Sequence, residues 1–165
     1  MIPVLVAPPA SHPITIDEAK LHCRIDHNDD DTLIAAYISA AVGHLDGWTG
    51  ILGRCIMPQT WRISAYAGDV ILPMPDVTTA SGAYEAGATA LTVKATALGP
   101  CVSVSEDCDV TFSCAMPAGL IATARAAVLL LVGHWYAHRE AVGDPLAETP
   151  LTVDALVTQM RWRRI

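Results

Sequence analysis

Two hydrophobic periods divide the chain. Beyond position 31, Leu33, Ile34, Tyr37, Ile38, Ala41, Val42, Leu45 and Trp48 recur at spacings of one, three and four. That pattern is a single apolar stripe along a helix, and Gly50 follows as a natural stop. Upstream, T-I-D-E forms a capping box: Glu18 stands where it can reach back to the Thr15 N–H, which predicts a short helix over 16–24. Between these helices D-H-N-D-D-D reads as an acidic turn. Its last aspartates suit the N-terminus of the next helix, as caps and against the dipole.

Between 54 and 116 the period becomes two. TWRISAY places Trp61, Ile63 and Ala65 on one face, and DVILP is a short apolar run closed by Pro73. TALTVKA, PCVSVSE and DVTFSCA alternate as well, with Gly, Pro and Asp between them. This predicts a small antiparallel sheet of about four to six strands. Thr-rich strands of such low charge suggest an edge covered by a neighbour.

Helical patterning returns over 118–141. The middle, AAVLLLVG, is apolar all round and predicts the central buried helix. GDPLAETP is a linker. Thr152 then suits the cap of a last helix whose one face carries Val153, Leu156, Val157 and Met160. At the other end, residues 1–13 hold four prolines and predict an extended arm. The fold class is therefore α+β: a helical core of about four helices, with a small antiparallel sheet inserted between the second and third. One domain over 1–165 is expected, divided into an arm (1–13), helices (14–50), a β-rich insert (54–116), a central helix (118–141) and a C-terminal segment (151–165). In its core, Leu33, Ile38, Val42 and Leu45 are expected to meet Val128, Leu129 and Val132.

Composition sharpens this picture. Apolar residues make up 52% of the 165 and charged residues 16%, which excludes disorder and leaves apolar surface for contacts between subunits. The formal charge of −7 makes the chain a poor overall partner for DNA. The five cysteines are odd in number and lack a C-x-x-C, as expected of reduced, mostly buried thiols in a cytosolic protein. MIPVLVAPPA has no basic region and its prolines interrupt any apolar run, so it does not read as a signal peptide. The longest apolar run, 126–133, is well short of the roughly 20 residues of a membrane span, so a soluble protein is expected.

Catalytic motifs are missing. Asp26, Asn28 and Asp30 start like a calcium loop, but Asp31 stands where Gly is needed and Tyr37 where a bidentate Glu is needed. His134 and His138 could face one metal from a helix, yet Trp135 replaces the Glu of the zinc-protease pattern and no third ligand has suggestive spacing. Neither a nucleophile elbow nor a phosphate-cradling loop occurs. No cofactor and no enzymatic activity are expected.

The closing MRWRRI is the local oddity. A charged terminus ordinarily frays into solvent. As a binding segment, Trp162 and Ile165 would seat in a partner's groove while Arg161, Arg163 and Arg164 pair with its carboxylates. Phosphate is a further partner for the same arginines.

Taken in order, ITIDEAKLHCRID, D-x-L-I-x-x-Y-I-x-A-A, W-T-G, P-Q-T-W, ILPMP, AVLLLVGHWYAHRE and TPLTVDALVTQMRWRR resemble the head–tail connector (adaptor) family of long-tailed phages and gene transfer agents. The family often has Glu at Asp46 and Leu-Pro near 149–151. The resemblance implies a structural subunit of a ring, dodecameric, between the portal and the stopper or tail-completion proteins. The ring would surround double-stranded DNA without binding it specifically. It would sit in the neck of a virion or gene transfer agent particle made in the bacterial cytoplasm, with no membrane partner. Met160, Arg161, Trp162, Arg163, Arg164 and Ile165 match the family's portal-docking segment. The alternatives are a stopper or tail-completion protein, or a small metal-binding or enzymatic protein.

Overall fold

The structure, a computed structural model, describes residues 2–138 and 151–162. It is α+β, with two hydrophobic cores side by side.

The helical core is built from α1 (Ile16–Cys23), α2 (Asp31–Leu45), α3 (Ala118–Ala137) and α4 (Leu151–Met160). The predicted capping box is present: the Glu18 N–H donates to Thr15 Oγ1, and the Glu18 carboxylate accepts from the Thr15 N–H at 2.8 Å. Arg24, in the left-handed region at φ 58°, ends α1. Asp30 occupies the N-cap position of α2, but its side chain makes no capping bond and accepts instead from the Tyr136 hydroxyl at 2.5 Å. The acidic turn thus holds α3 rather than capping α2.

Helix α2 is shorter than its stripe predicts. It stops at Leu45, and Asp46 is extended and ties the chain to the next segment. Trp48 is therefore off the helix, packed against the second core. Gly50 is not the stop: a Cβ there would stand 2.4 Å from the Leu45 carbonyl oxygen, so it serves close backbone packing. In the core, Ile34, Ile38, Val42 and Leu45 are buried with Val128, Leu131 and Val132. Leu33 and Leu129, expected in this set, are half-buried; Ile34 and Leu131 take the interior positions.

The described part of α3 ends at Ala137; residues 139–141, the end of the predicted helix, lie outside the described residues. With mean hydropathy 1.5 over 20 residues, α3 is long and apolar enough to cross a membrane. It instead packs on α1, α2 and α4, and Arg125 in its middle pairs with Glu18. Only one side of it is fully buried, through Ala124, Ala127, Val128, Leu131 and Val132. Helix α4 begins at Leu151, so Thr152 lies within it rather than capping it.

The strands form two sheets where one was expected. The five-stranded sheet has the order β1-β2-β8-β4-β5, and the three-stranded sheet β3-β7-β6, all antiparallel. In chain order they are β1 (Val4–Ala7), β2 (Gln59–Ala65), β3 (Gly68–Ile71), β4 (Val77–Tyr84), β5 (Gly87–Leu91), β6 (Lys94–Thr96), β7 (Gly99–Val104) and β8 (Cys108–Cys114). Trp61, Ile63 and Ala65 are buried, as the alternation of β2 predicts. TALTVKA, read as one strand, is split between β5 and β6, one in each sheet. The break lets Leu91 and Val93 both pack against the β core. The N-terminal arm is more than extended: its β1 pairs with β2 and joins the sheet.

The linkers between the cores are themselves packed. Leu52, Ile56 and Met116 insert into the helical core, while their neighbours Cys55 and Cys114 point into the β core.

Candidate partner-binding surfaces

The candidate surfaces are the C-terminal segment, a groove beside it, and the free edges of the larger sheet. Helix α4 presents Val153, Val157 and Met160 to the helical core, where Met160 is 1% exposed. Met160, expected in a partner-binding segment, therefore packs inside its own chain. Arg161 is exposed, and its N–H continues the helix to the Val157 carbonyl at 2.8 Å. The chain then turns onto the β half. The Trp162 N–H donates to the Leu52 carbonyl at 2.8 Å. Its ring lies over Gly99, where a Cβ would be 3.4 Å from Trp162 Cζ2 and where φ is +128°. Both demands select glycine. Trp162 thus bridges the linker after α2, through its backbone, and the start of β7, through its indole, an intramolecular role that the sequence does not reveal. Arg163, Arg164 and Ile165 lie outside the described residues.

Trp162 also walls one end of a groove of about 680 Å³ between the two sheets, with Val77, Thr79, Leu91, Val93 and Pro100. Its one carboxylate, Asp76, is already paired with Arg54 at 3.5 Å, and burial raises its pKa against the opposing pull of that guanidinium. The groove offers shape and apolar surface rather than acid–base chemistry.

The residues singled out for metal chemistry are otherwise engaged. Lys20 donates to Asn28 at 2.6 Å and to Asp31 at 2.8 Å, so an ammonium occupies the acidic turn. The ring centroids of His134 and His138 lie 4.7 Å apart, with the planes tilted by 37°, and His138 Nδ1 lies 3.0 Å from the His134 carbonyl oxygen. Among the described residues no group of three or more His, Cys, Asp or Glu converges.

Asp46 organises the junction of the two cores. One of its oxygens accepts from the Ile56 N–H at 2.7 Å and the other from the buried Gln59 amide. Burial raises its pKa in spite of these bonds. Arg125 holds the arm by donating to the Pro13 carbonyl and to Glu18. The Thr15 N–H and then Arg125 lower the Glu18 pKa.

Residues 13–68, which carry α1, α2, the Asp46 junction and β2, match the family of phage gp6-like head-tail connector proteins. Over that segment the chain is similar to the phage head–tail connectors. That family is structural and not enzymatic. Solved structures also match over the full chain. A chain from the virion of a native gene transfer agent particle is similar at a TM-score of 0.70 and 18% identity, covering 100% of this chain and 97% of that one. Chains from the neck of an empty particle computed with C6 symmetry and of a native particle computed with C12 symmetry give 0.69 and 0.67, at the same identity and coverage. At that identity the likeness is one of fold. No curated protein matches the chain.

A run of exposed apolar residues lies at the sheet edge. Ile2, Val4, Leu5 and Val6 are 79%, 57%, 44% and 52% exposed. Strand β1 is an outer strand, bonded on one side to β2. The opposite outer strand, β5, also lacks charged side chains.

Proposed function

We propose that this protein is a ring-forming head–tail connector subunit in the neck of a phage or gene transfer agent particle. The carrying observation is a gp6-like connector segment within a chain that shares its full-length fold with gene transfer agent virion and neck chains. A dodecameric ring is the proposed assembly, since one related neck was computed with C12 symmetry. The portal lies on one side of this ring, and the stopper or tail-completion proteins on the other.

The sheet edges support this reading. Soluble proteins commonly guard a free edge with charge. Here β1 (VLVA) and β5 (GATAL) are both uncharged and end the same sheet on opposite sides. A ring needs two different surfaces on each subunit, meeting head to tail. Strand β1 of one copy against β5 of the next supplies such a pair.

The portal anchor is proposed to be the segment 160–165, with recognition carried by its arginines and Ile165. Met160 and Trp162 hold the segment to the body, so the solvent-facing Arg161 and residues Arg163, Arg164 and Ile165 are left to meet the portal. DNA is proposed to pass without specific binding. Besides the charge of −7, Lys20, Arg54, Arg62 and Arg125 are each paired with a carboxylate, which leaves these four poorly placed to form a phosphate-binding track.

Sedimentation of the purified protein with and without portal tests the function. Larger closed species on adding portal are expected. A protein that stays a stable monomer or dimer in the presence of portal would overturn it.

A further inference from the structure

Cys55 and Cys114 lie 59 positions apart in sequence, yet their sulfurs approach to 2.8 Å. Both residues are 1% exposed, and the Met74 sulfur is 3.8 Å from Cys55. Their setting is more informative than their distance. Cys55 lies in the linker from the helical core into β2, and Cys114 is the last residue of β8 before the return linker to α3. Each is followed closely by a residue plugged into the other core: Ile56 after Cys55, and Met116 after Cys114. The two sulfurs thus meet where the chain leaves the helical half and where it comes back.

We propose that Cys55 and Cys114 are a disulfide-forming site whose oxidant is a low-molecular-weight disulfide, and that its closure staples both linkers together at the junction of the two cores. In the first step one protein thiol loses its proton and attacks a sulfur of the small disulfide, releasing one small thiol. The second protein thiol then attacks the mixed disulfide and releases the other. Two protein thiols are oxidised, and one small disulfide is reduced to two thiols. The hydrogen bond to Cys55, together with burial, raises the Cys114 pKa far above the ordinary thiol range. Exchange in the native protein therefore waits on local opening and is slow. The site stands on its geometry alone. Its timing rests on the connector reading: such a chain is made in a reducing cytosol, where the pair stays open through assembly, and the released particle meets an oxidising medium.

The test uses the full chain in two arms. In one, native protein is held with oxidised glutathione; in the other, it is refolded from denaturant in a glutathione redox buffer. The expected product is monomeric, lighter by about 2 Da for the two hydrogens lost, with tryptic peptides 55–62 and 95–125 linked and their fragmentation spectrum placing the bridge at positions 55 and 114. Its melting temperature should rise on the order of 5–15 °C and fall back on adding reductant. Cys55→Ser and Cys114→Ser should each abolish the reducible shift. If these variants fail to fold, the mass and the fragmentation spectrum of the linked peptides from the unaltered chain still decide. Retention of all five thiols in both arms, or a bridge through Cys23, Cys101 or Cys108 instead, would overturn the proposal.

Discussion

The two cores differ in how far they close on themselves. The helical core draws on three distant stretches of chain, and α4 covers it from the C-terminal end. Few large apolar side chains remain exposed there, Ile16 and Leu21 among them. The β half has a sound interior around Phe112, Ile63 and Val110, yet Val4, Leu5, Val6, Tyr66, Ile71 and Leu98 stay at its surface. An antiparallel sheet can bury one face and still keep unpaired edges, whereas helices satisfy their own backbone. The half whose edges remain open is where an assembly can continue. The closed half serves as the frame.

The largest effects should come from cutting either interior. Phe112 is 1% exposed and Leu45 is 0% exposed. Phe112→Ala should cost about 3–5 kcal/mol and Leu45→Ala about 2–5 kcal/mol in denaturant melts. Because both linkers are packed into both cores, each variant should still unfold in one transition. A biphasic melt for Phe112→Ala alone would show that the halves unfold separately and would break the picture of a shared junction.

Trp162 tests that junction from outside the cores. Trp162→Ala should lower stability by about 1–2 kcal/mol, since its ring is half-buried and its backbone bond to Leu52 can persist. Arg161→Ala should change stability by less than about 0.5 kcal/mol while weakening attachment to portal-bearing capsids. Equal loss of stability in the two variants would contradict the division between a bolted indole and an outward arginine.

At the open edge the expectation reverses. Val4→Glu should leave the monomer's melt within about 0.5 kcal/mol, because the side chain is 57% exposed, yet should suppress ring formation by placing a charge on β1. Size-exclusion chromatography with portal reads this directly. Unimpaired rings would remove β1 from the subunit contact.

The smallest effect is a pH dependence at Asp46. Burial raises its folded pKa above the ordinary 3.8, so the folded state holds the proton more tightly than the unfolded chain does. The stability this adds is present below 3.8 and lost as pH rises through the folded value. Asp46→Asn keeps an acceptor for Ile56, and a flip of the Gln59 amide restores the second bond. Its stability relative to the unaltered chain should therefore increase as pH rises from 3.8. A difference that does not vary with pH would place the charged carboxylate in solvent.

Helices were the more legible half of the sequence. A stripe of period 3.6 and the Thr15–Glu18 box are local signals, and local signals survive into the fold. The end of α2 was missed because Asp46 is recruited by Ile56 and Gln59, partners ten or more residues away. Splitting of TALTVKA between two sheets was hidden for a similar reason: alternation reports which face is buried, not which sheet is joined. The apolar face of α4 was visible, but not whether it covers the chain's own core or a partner's. The seat of Trp162 on Gly99 depends on two segments far apart in sequence, and neither announces the other. Five scattered cysteines likewise gave no hint that two of them meet at the junction.

Electron microscopy of the purified protein bound to its portal tests the central claim most directly. The account predicts closed rings on the portal, with β1 of each subunit lying against β5 of its neighbour and the helical core forming the inner frame of each subunit. A ring whose β1 edges face solvent, or a portal carrying no ring, would contradict it.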